Sequence, residues 1–148
     1  MTLIRGKRTL ACMVAIVSYF IIIFYFAVLI REESEVRTTF RLDLFWGYNN
    51  PNEDIIIDNI LNILSFIPIG LLSGLLFKRY RVLKALLIGL ILSLVIELSQ
   101  LIWKRGTFDV DDLFNNTLGA LIGGVILTMA FWLRNSLTQY GFNKEIHE

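Results

Sequence analysis

Glu97 is the residue of this chain that most needs a chemical reason. It is the only formally charged side chain within the long apolar runs, and an acidic group at mid-membrane costs about 3 kcal/mol on insertion scales, less toward an interface. Ser93, Glu97 and Gln100 fall at i, i+4 and i+7 and so share one helix face. A desolvated carboxylate facing a second acid, Asp109 or Asp112, is an arrangement that serves general acid and base chemistry. Two amides, Asn62 and Asn116, and one cation, Arg105, supply the hydrogen-bonding partners. Arg105 can pair with Glu97 or with one of the aspartates, and the sequence does not choose among them. Asp111 and Asp112 also suit the positive end of a following helix, where they would cap its free N–H groups. A calcium loop is the other reading of Asp109, Asp111 and Asp112. Leu113 breaks the ligand alternation there and no glycine occupies the turn position, so no metal and no cofactor is expected.

The rest of the composition narrows the field. There is one cysteine, Cys12, inside an apolar run, and one histidine, His147, beside the last residue. A disulfide framework and a Cys/His metal cluster are therefore excluded within one chain. The formal net charge is +1 and the basic residues form short clusters between apolar runs, not the continuous stripe that nucleic acid requires. With 55% hydrophobic residues in 148, the chain has more apolar surface than one soluble core consumes.

The elements that must position Glu97 are membrane helices. Residues 10–30 form a run of 21 without a charge, about 31 Å as a helix, which matches the hydrocarbon thickness of a bilayer. The run is too long for a signal-peptide core, and Arg31, Glu32 and Glu33 stand where a cleavage site would lie. Three further spans are expected at approximately 60–77, 85–103 and 113–133, too long and too uniformly apolar for barrel strands. Pro68 removes a backbone donor and predicts a kink near Leu64, which Asn62 and Ser65 can help repair. Gly70, Gly119 and Gly123 offer close helix approach, and Gly119/Gly123 and Ala120/Gly124 are both small-x-x-x-small pairs.

Lys and Arg set the direction. Nine lie before the first span, between the second and third, and in the tail; five lie in the other connections. This predicts both termini inside. The expected fold is all-α: an integral membrane bundle of four transmembrane helices over residues 1–148, N-in and C-in, with a long outer loop between helices one and two and a cytoplasmic tail at 134–148. In that topology Glu97 lies about 9 Å beneath the outer end of the third helix, level with Asn62 and Asn116. Phe40, Phe45, Trp46 and Tyr48 read as an aromatic belt at the outer interface. The inner halves of helices two to four carry almost no polar residues, which disfavours a transport path.

Asn62-x-x-x-Phe66-x-Pro68-x-Gly70, Glu97-x-x-Gln100 and Arg105-Gly106-x-Phe108-Asp109-x-Asp111-Asp112-x-x-x-Asn116-x-x-Gly119-x-x-x-Gly123, in this order and spacing, resemble the signatures of the VanZ-like membrane proteins. Residues 41–46 look like that family's loop entry but lack the proline often found before Phe45. The resemblance implies a multi-pass protein of the bacterial plasma membrane whose founding members reduce the effect of teicoplanin-type antibiotics. Its matched polar positions are Asn62, Glu97, Gln100, Arg105, Asp109, Asp112 and Asn116.

Three functions compete. A polar pocket at the outer leaflet could engage a lipid-linked envelope precursor, a lipid headgroup or a glycopeptide antibiotic. An interface enzyme could use Glu97 with Asp109 or Asp112 on a lipid-linked substrate. Interhelical hydrogen bonds could simply hold a bundle or an oligomer together. All three place the polar residues at one shallow depth. Single cysteines introduced at Asn62, Gln100 and Asn116 are expected to react with an impermeant thiol reagent from the extracytoplasmic side; reaction only from the cytoplasmic side would reverse the topology.

Overall fold

A computed structural model describes residues 2–32 and 40–147, with side chains over residues 6–32 and 40–140. Glu33, Glu35 and Arg37 of the long loop, and the side chains of Arg5, Lys144 and His147, lie outside the described residues. Five helices follow in order: α1 (Thr2–Phe24), the short α2 (Trp46–Asn49), α3 (Glu53–Leu76), α4 (Arg81–Ile102) and α5 (Val110–His147). Two strands, β1 (Phe40–Arg41) and β2 (Phe108–Asp109), pair in parallel. Among the described residues four helices are long and apolar enough to cross a membrane, over Gly6–Leu29, Glu53–Leu76, Arg81–Ile102 and Val110–Tyr140.

The bounds differ from the expected ones for local reasons. α3 starts seven residues early because Asn52 accepts the Ile55 N–H at 2.8 Å as an N-cap, with Glu53 and Asp54 in the first turn facing the positive helix end. α4 ends in a Schellman motif. Lys104 takes a positive φ of 53°, the Arg105 N–H donates to the Gln100 carbonyl at 2.8 Å, and that of Lys104 donates to Leu101 at 3.3 Å. α5 does not stop at Leu133 but continues through the expected tail to His147, since no proline interrupts it. α1 passes into a π-helical turn, Tyr25–Leu29, closed by the Ile30 N–H on the Tyr25 carbonyl at 3.1 Å. α3 is assigned as helix straight through Pro68. Asn62, expected to help repair a break there, donates instead to Asp112.

The contacts set the helix directions. Ser93 meets Asn116 and Gly124 meets Ala85 and Val82, so α4 and α5 are antiparallel. Asn62 meets Asp112 and Gly74 meets Leu127, so α3 and α5 run together. The residue 40–47 loop and the α4–α5 connection therefore share one end of the bundle, the polar end. Arg81, whose guanidinium lies 4.2 Å from the Phe131 ring centre, belongs to the other.

Helices in lipid gain little from burying apolar area against one another, so close packing must hold them. α5 carries two small-residue stripes for this. Gly119 and Gly123 press on the Ile63 and Ile67 carbonyls of α3, and Gly70 of α3 presses back on the Ala120 carbonyl. On the adjacent face Ala120 and Gly124 meet Gly89 and Ala85 of α4. Val28, Phe66, Ile69, Ile96 and Ala120 form the buried core.

A Cβ at position 123 would collide with the Ile67 carbonyl, whereas one at Gly6 meets open space. Gly123→Val is expected to lose roughly 1–3 kcal/mol by overpacking, read from reversible unfolding in micelles, with Gly6→Ala unchanged. Equal stability of the two variants would refute the contact.

Candidate functional site

The polar end is assembled around the chain reversal between α4 and α5. Glu97, 1% exposed, accepts the backbone N–H of Asp109 at 2.8 Å on its Oε2. Asp109 then serves as the N-cap of α5, its Oδ1 accepting the Asp111 N–H at 2.9 Å. Its Oδ2 takes Arg41 in an ion pair of 2.8 Å, and the same guanidinium lies 4.2 Å from the centre of the Trp46 ring. The pairing of Arg41 with Asp109 in the β1–β2 register brings these groups opposite each other.

Asp111 fastens the preceding loop. Its two oxygens accept the backbone N–H groups of Phe45 and Gly47, at 2.5 and 2.8 Å. Phe45 has a φ of 68°, a conformation that a bulky residue keeps only when its surroundings hold it. Tyr48 donates to Asn115 at 2.6 Å, and Asn115 donates to Asn59 at 2.8 Å, so α2, α5 and α3 are joined by one chain of bonds. Arg105 donates to the carbonyls of Val28, Leu29 and Arg31, and Gln100 donates to that of Ala27 at 3.1 Å. These are carbonyls that the irregular end of α1 leaves free, and a cation suits the negative end of its dipole.

Among the described residues, an inner and an outer cavity open at this end. The inner one, about 450 Å³, is lined by Asn62, Glu97, Gln100, Asp112 and Asn116 together with Tyr19, Ile22, Phe26, Leu61 and Phe66. The outer one, about 520 Å³, is lined by Arg41, Arg105, Asp109 and Asp111 among others. Arg31, Asp58 and Asp112 line both. Gly106 borders the outer cavity, where a Cβ would stand 3.2 Å from Arg31 Nη1 and 3.5 Å from Gln100 Oε1.

Five of the seven polar positions expected from sequence thus line one cavity: Asn62, Glu97, Gln100, Asp112 and Asn116. The shared face of Ser93, Glu97 and Gln100 is buried throughout. Asp109 and Arg105 line the outer cavity instead. Several expectations change. Arg105 bonds backbone carbonyls, and the hydrogen-bonded cation of Asp109 is Arg41, which sequence spacing, 68 residues away, gave no reason to choose. Asp111 and Asp112 do not provide the cap, because Asp109 does; Asp112 Oδ1 accepts Asn62 at 2.7 Å. The aromatic loop is more than an interfacial belt. Trp46 lies beneath Arg41, Tyr48 bonds Asn115, and Phe40 packs on Phe108 with centroids 5.8 Å apart. Among the described residues no three His, Cys, Asp or Glu side chains are grouped to hold a metal ion. Sequence reading passed over Arg31, Arg41, Asn59 and Asn115 as site residues. Asn59 and Asn115 did carry a signal, as amides near the ends of apolar runs.

No solved structure matches this chain. Over 62 residues it is 39% identical to Protein VanZ of Enterococcus faecium, a stretch that amounts to 42% of this chain and 38% of that protein. The chain therefore matches well under two thirds of that relative's length. The VanZ/LLP1 family pattern matches residues 10–133, which take in most of each of the four apolar helices and every residue lining the inner cavity. This chain belongs to the VanZ/LLP1 family.

Proposed function

We propose that the chain forms one four-helix domain in the bacterial plasma membrane, with both termini cytoplasmic, and that its polar end binds an amphiphile from the outer leaflet. The observation that carries this reading is the two-part inner cavity. Asn62, Glu97, Gln100, Asp112 and Asn116 make a polar head, and Tyr19, Ile22, Phe26 and Leu61 extend it as an apolar wall. Ile22, Phe26 and Leu61 are each more than half exposed, so the wall faces lipid. A molecule with a polar head and a hydrocarbon tail, such as a membrane lipid or a lipid-linked envelope precursor, fits both parts. The excess of Lys and Arg at the opposite end supports the orientation. Kinship with Protein VanZ supports an envelope role that alters susceptibility to teicoplanin-type glycopeptide antibiotics.

Interface catalysis is favoured by one observation, the presence of Glu97 and Asp112 on the same cavity. Asp109 leaves that pairing, because Arg41 and the α5 cap occupy both its oxygens. A purely structural cluster accounts for Asn59, Asn115 and Asp111 but not for a cavity of this size beside them.

Ile22→Trp fills the apolar wall without replacing a polar residue. Expressed at wild-type membrane level in a deletion strain, it is expected to leave antibiotic susceptibility and envelope lipid composition as in the deletion, with the protein's thermal stability unchanged. Full complementation would remove the binding reading. Glu97→Gln that retains ligand but accumulates unconverted substrate would turn the case to catalysis.

A further inference from the structure

The inner cavity has a one-sided hydrogen-bonding character. Gln100 and Asn116, 3% and 4% exposed, both line it, and each keeps a buried side-chain carbonyl oxygen without a hydrogen-bond partner among the described residues. The assignment of Gln100 is chemically forced. Its other terminal atom contacts the Ala27 carbonyl at 3.1 Å, and since a carbonyl only accepts, that atom is the nitrogen and the unpaired one is oxygen. In Asn116 the nitrogen donates to Ser93 at 2.9 Å.

Two of the side-chain donors on the cavity are already committed, and its guanidinium, Arg31, lies at the border with the outer cavity. Asn62 donates to Asp112, and the Tyr19 hydroxyl donates to the Ser65 carbonyl at 3.2 Å. The charges lean the same way, with three carboxylates, Asp58, Glu97 and Asp112, against one arginine, Arg31. Buried acceptors left without donors are an expensive state, which a ligand can relieve. A phosphate monoester, which brings only further negative charge and acceptors, does not relieve it.

We propose that the amphiphile bound here carries a primary ammonium head, whose three N–H groups are donated to Gln100 Oε1, Asn116 Oδ1 and the Glu97 carboxylate while Asp112 adds a further counter-charge, with its phosphodiester directed to Arg31. This rests on the reading of the cavity as a lipid-binding cleft and names the head group that the cleft selects. Arg31 lies where the two cavities meet, so the anionic part of a zwitterionic head is held nearer the outer cavity and the ammonium deeper. The charge-assisted bonds to the ammonium are the strong ones.

The experiment uses the purified full chain in detergent and native mass spectrometry with dioctanoyl lipids that differ only in head group. Phosphatidylethanolamine is expected to bind about tenfold tighter than phosphatidylcholine, whose trimethylated nitrogen keeps the charge and loses the N–H donors. It should also exceed phosphatidylglycerol, which has hydroxyl donors and no cation. Glu97→Gln keeps an acceptor for the Asp109 amide and should narrow the ethanolamine-over-choline preference. Ile22→Trp should abolish binding of every lipid. Equal binding of the three lipids, all blocked by Ile22→Trp, would overturn the head-group assignment and leave the cleft standing. Binding indifferent to Ile22→Trp would remove the cleft itself, and so would displacement of the ethanolamine lipid by an equal concentration of glycerophosphoethanolamine, which has no chains.

Discussion

A carboxylate in a medium of low dielectric must be met by donors, and the whole polar end follows from how Glu97 is met. Its partner is a backbone amide, that of Asp109, and not a basic side chain. A backbone donor brings no counter-charge, but it ties the acid to the place where α5 begins. The start of α5 is thereby held against the last turns of α4. From that fixed point Asp109 can spend one oxygen on the helix cap and the other on Arg41. Arg41 in turn draws down the loop that Asp111 holds through two backbone amides. Removing the first bond would leave a buried acid unmet and release the anchor of each later one.

The polar residues divide into two groups that sequence alone does not separate. One group is saturated: Asp109, Asp111, Asn115, Asn59 and Arg105 bond to each other, to the loop or to the end of α1. These bonds take up groups that lipid cannot satisfy. The other group lines the inner cavity and retains capacity there, with Gln100 and Asn116 each holding an unpaired oxygen. Gln100 belongs partly to both, since its nitrogen secures α1 while its oxygen remains free.

Much of this was legible from residue order. The four apolar helices follow from run length, and the buried face of α4 follows from the spacing of Ser93, Glu97 and Gln100. Helix direction then put Asn62 and Asn116 at the depth of Glu97, and all of these line one cavity. What was not legible depended on long-range pairing. Nothing local marks Arg41, rather than the neighbouring Arg105, as the partner of Asp109, because the choice is made by a two-residue parallel strand pair across 68 residues. Nor does a sequence reveal that the end of α1 departs from α-helical bonding, which is why Arg105 finds carbonyls to serve there. Helix ends were misjudged wherever a cap lay outside the apolar run, as at Asn52, or where no breaker ended it, as after Leu133.

The two glycine-bearing stripes of α5 bear on the polar end although they lie deeper in the bundle. Turning α5 by a single residue, about 100°, would drive a larger side chain into the backbone of α3 and of α4 together, since neighbouring faces are fitted to different partners. The helix is therefore keyed in its rotational setting like a shaft held by two slots. Asn116 rides on that shaft about one turn above the first key and Asp112 about two, so the aim of both cavity residues is set by side chains that are absent elsewhere.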